Sequence, residues 1–304
     1  MLGETKVVNL CISNRCGHRC IFCGDVRGKL TEPTGAQVKR RLDELRRRGY
    51  DGVDLSSKEF TLRKDALEIV KHARARGYRM IHLVTNGRAF ADARTAALFL
   101  DNGVNKLTIS LHSDRAETEQ TITGDPAGLR DKVAAIGNVL RHLEAAKNPC
   151  LFSVNTVMTP LTAPRLDRVM AFVAGLGVRR HNLFFPKIQG HFKQAFDRLV
   201  PRFRDIAAPL TRGLDRGLAK GLVYSILDVP PCVVPKHAWA VCPRMKENVL
   251  ETTAPKAART RRVDVRETKA KGDPCRRCSA SSSCEGVFRA YIDRRGWEEF
   301  VPLP

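Results

Sequence analysis

The stretch that decides the fold is Cys16-Gly-His-Arg-Cys20-Ile-Phe-Cys23, in which three cysteines follow one another at the spacing C-x3-C-x2-C. Three thiolates ligate three irons of a [4Fe–4S] cube and leave the fourth iron open, whereas electron-carrying clusters normally have one cysteine for every iron. An apolar segment from Val7 to Ile12 precedes the loop and is predicted to be a strand. The pattern therefore favours a cluster that binds a ligand at its open iron.

A structural zinc site is the alternative interpretation of these cysteines. Zinc normally takes four protein ligands in such sites. The nearest further candidate is His18, which lies between two of the cysteines and cannot easily reach the same ion. The three-thiolate cluster is accordingly the favoured interpretation.

Composition places the chain among globular proteins. Its 304 residues, 43% of them hydrophobic, are sufficient for one large domain with a small appendage. The sequence shows neither a charged-then-apolar leader nor an apolar run that could cross a bilayer, so we expect a cytoplasmic protein with no membrane partner. Its ten cysteines are then expected to be reduced thiols or metal ligands.

The charge balance is strongly basic. Lys and Arg number 53 against 32 Asp and Glu, which gives a net charge of +21. Such an excess predicts a polyanionic partner, either a nucleic acid or a nucleotide, with a solvated basic surface as the alternative. The segment from Lys256 to Arg277 contributes nine basic residues against three acidic ones and contains no aromatic residue for stacking on bases.

Strand and helix signals alternate along the first two thirds of the chain. Six apolar strand signals are each followed by a helical pattern; they fall at residues 7–12, 53–55, 80–84, 106–111, 151–158 and 181–185. Successive strand-then-helix units require parallel strands with right-handed crossovers. We therefore predict an α/β fold, a partial (β/α)6 TIM-like barrel over residues 1–220. A small cysteine-rich domain is predicted over residues 221–304, where the alternation is lost.

The cysteine spacing, the aromatic Phe22 before the third cysteine and the preceding strand together resemble the signature of the radical S-adenosylmethionine (radical SAM) superfamily. The resemblance implies a partial barrel and a cluster held by Cys16, Cys20 and Cys23. It also implies that S-adenosylmethionine binds at the open iron and yields a 5′-deoxyadenosyl radical. An external electron donor, such as flavodoxin or ferredoxin, is implied as a partner.

The same resemblance suggests four residues that bind S-adenosylmethionine. Glu59 lies in Ser57-Lys-Glu-Phe60, where the family usually carries Gly-Gly-Glu-Pro, and matches the glutamate that accepts a hydrogen bond from the methionine ammonium. Ser110 and Asn155 match strand positions that offer polar groups to the ribose, and Phe22 adjoins the third cysteine. No catalytic side chain is indicated.

A second group of cysteines lies near the C-terminus. Cys275, Cys278 and Cys284 have the spacing C-x2-C-x5-C and are similar to the auxiliary-cluster modules called SPASM and twitch. These three, with Cys242 or alternatively Cys232, are sufficient for a second [4Fe–4S] cluster, and a structural zinc ion is the alternative.

These features predict a radical SAM enzyme that modifies or rearranges a substituent on a nucleic-acid base or nucleotide. The first alternative is a radical SAM maturase that modifies a peptide or protein. The second is a non-enzymatic, zinc-containing nucleic-acid binder. The motifs leave the outcome open between isomerase, oxidoreductase and transferase chemistry.

Overall fold

The computed structural model describes most of the chain, namely residues 5–23, 32–55, 58–188, 195–242, 248–252, 259–263 and 268–304. No helix in these ranges is long and apolar enough to cross a membrane.

One large sheet forms the centre of the described structure. Its strands lie in the order β7-β6-β5-β4-β3-β2-β1-β8-β9, and all neighbours from β7 to β8 are parallel, whereas β9 is antiparallel to β8. The strands are β1 (Val7–Cys11), β2 (Gly52–Leu55), β3 (Met80–Thr85), β4 (Lys106–Ser110), β5 (Leu151–Val157), β6 (Arg180–Phe184), β7 (Val223–Leu227), β8 (Asn248–Thr252) and β9 (Arg259–Val263). A short hairpin near the C-terminus comprises β10 (Lys269–Ala270) and β11 (Val287–Phe288).

Helices alternate with these strands. The α-helices are α1 (Gly35–Arg47), α2 (Ala66–Ala75), α3 (Ala93–Asp101), α4 (Ala116–Thr123), α5 (Gly128–Ala145), α6 (Leu166–Gly175), α7 (Phe196–Leu199), α8 (Phe203–Leu218), α9 (Asp273–Arg276) and α10 (Arg289–Arg295). Helix α1 illustrates the sequence logic, because Thr34 and Gln37 form a reciprocal capping box at its start. Its buried stripe, Val38, Leu42 and Leu45, recurs at helical spacing.

The order of β1 to β7 across the sheet follows their order in the chain, so every right-handed crossover lies on the same face. That outer face is apolar: Leu83 and Ile109 of the strands belong to the same core cluster as Val38 and Ile136 of the helices. The opposite, inner face is therefore left without helices, as in a barrel.

A second core joins the end of the barrel to the C-terminal segment. Phe203 of α8 stacks on Phe185 with ring centroids 4.2 Å apart, and contacts Tyr291 at 4.8 Å and Phe300 at 5.3 Å. These side chains belong to one buried cluster that also contains Leu183 of β6. The C-terminal segment is thus packed firmly on the barrel.

The predicted α/β class with a parallel sheet is confirmed, but the sheet contains three further strands that the sequence did not reveal, namely the parallel β7 and β8 and the antiparallel β9. Strand β7 has five residues and is followed by prolines at 230, 231 and 235, which obscure its alternation. Because β7 lies beyond residue 220, the sheet continues past the expected boundary. The division into domains at residues 1–220 and 221–304 stays a prediction.

Candidate active site

The three-cysteine loop leaves the sheet at the carboxyl end of β1. Backbone hydrogen bonds fix it against the end of α4, from the N–H of Arg19 to the carbonyl of Thr123 (2.7 Å) and from Ile21 to Ile122 (2.9 Å). Helix α4 ends at Gly124, whose φ of +70° suits a glycine. The last residues of α4 and the Gly124 cap thus support the loop.

The thiols of this loop interact electrostatically. Cys16 and Cys23 are exposed and Cys20 is partly buried. Burial and, to a smaller extent, charge on Cys16 and Cys23 raise the pKa of the Cys20 thiol to about 12, although the charge of Lys132 acts in the opposite direction. Burial also raises the pKa of Cys16, with additional contributions from Glu59 and Cys23. Cys16 and Cys23 therefore lie close enough to affect the Cys20 thiol, but their role as cluster ligands stays a prediction, because no three such side chains of the described residues are close enough to hold a single metal ion.

His18 lies within the loop but points into the protein. Its Nε2 is 3.0 Å from Asp125 Oδ2, and its side chain is 1% exposed. Burial, followed by the charge of Lys132, lowers its pKa to about 4. The ring is therefore neutral and engaged with Asp125, as expected for a residue that does not complete a zinc site.

Glu59 occupies the space between the ends of β2 and β3. It is 2% exposed, and its Oε1 accepts hydrogen bonds from the Thr61 hydroxyl (2.7 Å), the Thr61 N–H (3.3 Å) and the Thr85 hydroxyl (2.8 Å). Its Oε2 accepts a hydrogen bond from the Asn86 N–H (2.7 Å). Burial raises the pKa of Glu59, while these hydrogen bonds act in the opposite direction. The carboxylate consequently joins two loops of the site.

Lys58 stands where the family carries its second glycine. Its φ is +46°, in the left-handed region that a side chain adopts only at a cost. The loop has therefore kept a conformation that suits glycine although the glycine itself is absent. Ser57 falls outside the residues that the structure describes.

The remaining predicted cofactor residues lie at the same edge of the sheet. Phe22 contacts His112 edge-on, with centroids 4.7 Å apart, and His112 Nδ1 accepts a hydrogen bond from the Val157 N–H at 3.2 Å. Ser110 and Asn155 are partners in the register of β4 and β5, and both are half-buried. The structure brings these residues to one edge, while their role in binding S-adenosylmethionine stays a prediction.

One buried ion pair was not foreseen from the sequence. Lys132 of α5 pairs with Glu119 of α4, and both side chains are completely buried. Glu119 Oε2 also accepts hydrogen bonds from the N–H groups of His112 (2.9 Å) and Ser113 (2.7 Å). The pair shapes the loop after β4, and nothing in the helical spacing of the sequence indicated it.

The C-terminal cysteines form a second group. Cys232, Cys275, Cys278 and Cys284 line one cavity, together with apolar residues that include Trp297 and Phe300. Burial, followed by charge on the other three thiols, raises the pKa of Cys232 to about 12.

Cys242, the first choice for a fourth ligand, does not line this cavity. Its N–H donates to the Ile226 carbonyl at 2.8 Å, next to β7. The arrangement therefore favours the alternative, Cys232. No three cysteine, histidine or carboxylate side chains of the described ranges are close enough to hold a single metal ion. The four cysteines share a cavity rather than a single coordination point.

The basic segment between Lys256 and Arg277 is described only in part. Residues 256–258 and 264–267 lie outside the described ranges, and only the backbone is described for 259–263. Lys269 is 5% exposed and pairs with Asp228 (3.0 Å) and Glu285 (2.7 Å). It is therefore not available to a phosphate, contrary to the expectation for this segment.

The family of the chain follows from comparison with known proteins. The model of the radical SAM superfamily matches residues 10–179. The chain belongs to the radical SAM superfamily. The predicted radical SAM enzyme, with a [4Fe–4S] cluster and S-adenosylmethionine as cofactors, is confirmed at the level of this family, and the non-enzymatic binder is not supported.

Curated relatives resemble part of this radical SAM protein. A probable GTP 3′,8-cyclase from Metallosphaera sedula is 28% identical over 173 residues, which are 55% of this chain and 51% of the relative. The AdoMet-dependent heme synthase of Methanosarcina barkeri is 27% identical over 191 residues, 61% of this chain and 52% of the relative. The chain thus spans about half the length of these relatives.

Solved structures share the fold over nearly the whole radical SAM chain. The structure of anSMEcpe with bound AdoMet matches 98% of this chain and 89% of its own, with a TM-score of 0.64 and 14% identity. Streptococcus suis SuiB bound to precursor peptide SuiA matches 97% of this chain and 74% of its own, with a TM-score of 0.64 and 11% identity.

Proposed function

We propose that this protein cleaves S-adenosylmethionine reductively and uses the resulting radical to modify a nucleotide or a nucleic-acid base. When bound, the cluster and S-adenosylmethionine supply a 5′-deoxyadenosyl radical that abstracts a hydrogen atom from carbon. The electron comes from an external donor such as flavodoxin or ferredoxin, which fits the predicted location in the cytoplasm.

The residues of the loop after β1 would hold the cluster. Cys16, Cys20 and Cys23 supply three thiolates, and His18 is engaged with Asp125, which leaves one iron without a protein ligand in this loop. The Cys16 sulfur lies 3.4 Å from the His18 N–H, a backbone donor that stabilises a thiolate. This arrangement supports a cluster with an open position.

Glu59 is suited to receive the methionine ammonium. Glu59 accepts four hydrogen bonds from the protein, and three of them end on Oε1. The remaining capacity to accept a hydrogen bond therefore lies on Oε2. Asn86 links Glu59 to Cys16. Its N–H donates a hydrogen bond to Glu59 Oε2, and its Nδ2 lies 4.0 Å from the Cys16 sulfur. Glu59 is thus next to the cysteine that would carry the cluster.

The C-terminal cavity would hold an auxiliary cluster of the SPASM or twitch type. Its four thiols, those of Cys232, Cys275, Cys278 and Cys284, are the complete donor set of a [4Fe–4S] cluster. Four thiolates also suit zinc. Iron and sulfide analysis of the reconstituted protein distinguishes the two metals.

The observation that carries the substrate class is the net charge of +21. An excess of this size attracts polyanions from a distance. Relatives named as probable GTP 3′,8-cyclases, at 28–32% identity, act by their name on a nucleotide, which supports the proposal.

The alternative is a radical SAM maturase for a peptide or protein. SuiB bound to its precursor peptide and anSMEcpe bound to a Cp18Cys peptide have the same fold over nearly the whole chain. A shared fold does not determine the substrate, so the two candidates need a direct comparison.

The affinities for nucleic acid and for peptide, measured across a series of salt concentrations, distinguish the two candidate substrate classes. We expect the reconstituted protein to bind single-stranded DNA, RNA or GTP more tightly than an acidic peptide of equal charge, with an affinity that falls steeply as salt rises. Tighter binding of the peptide, or a shallow salt slope with nucleic acid, would contradict the proposed substrate class.

A further inference from the structure

A row of polar side chains lies on the inner face of the barrel, where a barrel core is normally apolar. In β4, Leu107 and Ile109 lie in the outer core, so alternation places Lys106, Thr108 and Ser110 on the inner face. The same alternation places polar residues of four other strands there: Asp54, His82, Ser153, Asn155 and Asn182.

A continuous hydrogen-bond chain links these side chains across β2 to β6. The distances are 3.2 Å from Asp54 Oδ2 to His82 Nδ1, 2.9 Å from His82 Nε2 to Thr108 Oγ1 and 2.9 Å from Thr108 Oγ1 to Ser153 Oγ. Asn182 Nδ2 lies 3.3 Å from Ser153 Oγ and 2.9 Å from Asn155 Oδ1. We call this set of six residues the polar ladder.

The ladder has a single direction. The Asp54 carboxylate accepts a hydrogen bond, so His82 donates from Nδ1, and as a neutral imidazole it accepts at Nε2 from Thr108. Thr108 in turn accepts from Ser153, and Ser153 accepts from the Asn182 amide. The donors from His82 to Asn182 therefore point toward Asp54, while the Asn182 amide also donates to Asn155 Oδ1.

Three polar atoms of the ladder have no partner among the described residues. Asp54 Oδ1 is buried and unpaired. At the other end, the Asn182 amide oxygen belongs to a half-buried side chain and makes no hydrogen bond with the residues that the structure describes. The Asn155 amide nitrogen makes none with these residues either, but Asn155 is the residue predicted to bind the ribose of S-adenosylmethionine. An unpaired buried acceptor costs free energy unless a bound group supplies a donor.

Charge determines which part of a substrate fits here. The ladder contains the carboxylate of Asp54, which would repel a phosphate. The inner-face cations of β4 and β6, Lys106 and Arg180, lie two residues nearer the amino ends of their strands, about 7 Å away. The ladder consequently suits an uncharged group with N–H or O–H donors.

We propose that the polar ladder binds the nucleoside part of the substrate, base or ribose, and that Asp54 Oδ1 accepts a hydrogen bond from it. This inference rests on the proposed nucleotide substrate. It adds that the phosphates remain outside the ladder and that uncharged hydrogen bonds provide the recognition.

Calorimetric titration of the four ribonucleosides tests the ladder. The protein is reconstituted with iron and sulfide, kept oxidised and saturated with S-adenosylmethionine, so that its adenosine site is filled and no turnover occurs. We expect at least one nucleoside to bind, and Asp54→Asn and Thr108→Val to weaken that binding tenfold or more.

Two matched variants serve as controls. Thr108→Ser retains the hydroxyl, and Asp101→Asn alters a second carboxylate that also pairs with a histidine, His142, at 2.8 Å on the outside of the barrel. Both should bind the nucleoside within twofold of the wild type. Circular dichroism checks that every variant is folded.

The inference is overturned if no nucleoside binds, if Asp54→Asn and Thr108→Val bind as the wild type does, or if inorganic triphosphate alone displaces GTP fully. Formation of 5′-deoxyadenosine by the reduced wild type is measured separately. A protein that forms it but fails the nucleoside test refutes the ladder only, whereas one that forms none refutes the radical function itself.

Discussion

Glu59 Oε2 accepts a hydrogen bond of 2.7 Å from the backbone N–H of Asn86, and so joins the loop after β2 to the turn after β3. The other carboxylate oxygen accepts from Thr61 and Thr85. One buried side chain thereby connects two loops at the mouth of the barrel before any cofactor binds.

Glu59→Gln should destabilise the protein without its cofactors. The amide group replaces one acceptor oxygen with a donor, which leaves buried N–H or O–H groups without an acceptor. We expect urea unfolding to give a free energy of unfolding lower by about 1–3 kcal/mol. Glu117→Gln, at an exposed site on α4, should stay within about 0.5 kcal/mol of the wild type. An unchanged stability for Glu59→Gln would show that its hydrogen bonds are not structural.

The auxiliary ligand set can be tested by iron analysis. Cys232→Ser removes a thiol that lines the C-terminal cavity, whereas Cys242→Ser removes one that does not. After anaerobic reconstitution we expect Cys232→Ser to bind about four irons fewer per chain than the wild type, and Cys242→Ser to bind the wild-type amount. The reverse pattern would restore Cys242 as the fourth ligand, and zinc in place of iron would replace the cluster.

Lys269 should be essential to the attachment of the C-terminal segment. Its ammonium lies between Asp228 and Glu285 in a nearly solvent-free position. Lys269→Met would remove the ammonium that pairs with the buried Asp228 and the half-buried Glu285, and should lower the free energy of unfolding by about 3–5 kcal/mol.

Lys236→Met is the control for that variant, because Lys236 is 65% exposed and pairs with Asp215 at the surface. It should change the free energy of unfolding by less than about 1 kcal/mol. Equal effects of the two substitutions, measured by urea unfolding with tryptophan fluorescence, would refute the structural role of Lys269.

His181 should make stability depend on pH. Burial lowers its pKa to about 3, and its Nε2 donates to Thr156 Oγ1 at 2.8 Å, since the Thr156 hydroxyl itself donates to the Leu111 carbonyl. The unfolded chain takes up a proton at this histidine below about pH 6.5 and the folded protein does not, so stability is lost as pH falls from about 6.5 toward 3.

In His181→Gln the dependence of the free energy of unfolding on pH between 7 and 5 should become shallower, by up to about 1.4 kcal/mol per pH unit. His142→Gln, at the surface of α5, is the control for a general effect of losing a histidine. A slope that is the same in His181→Gln and the wild type would exclude His181 as a source of the dependence.

The sequence was sufficient for the features that depend on local spacing. Cys16, Cys20 and Cys23 identified the family, and the alternating apolar runs identified the first six strands. Strand β7 was missed because five residues between Gly221 and three prolines carry too weak a pattern.

Contacts between segments that are distant in the chain could not be predicted from the sequence. The choice of Cys232 over Cys242 depends on how the chain after β7 folds back on the segment around Cys275. The alternation of polar and apolar residues in Lys106-Leu-Thr-Ile-Ser110 indicated a polar face on β4. The residues of the polar ladder come from five strands, however, and their contacts could not be predicted from this pattern. Likewise, Lys269 was counted with the basic residues of the segment from Lys256 to Arg277, because its carboxylate partners lie 41 and 16 positions away in the chain.

The central claim is that the loop from Cys16 to Cys23 holds a cluster with an iron open to S-adenosylmethionine. The most direct test is the amount of 5′-deoxyadenosine that the anaerobically reconstituted, dithionite-reduced protein forms from S-adenosylmethionine. We predict formation by the wild type and none by the Cys16→Ala, Cys20→Ala, Cys23→Ala triple variant, which should retain the iron of the C-terminal site. A wild type that forms no 5′-deoxyadenosine although its cluster is fully assembled, or a triple variant that still forms it, would contradict the claim.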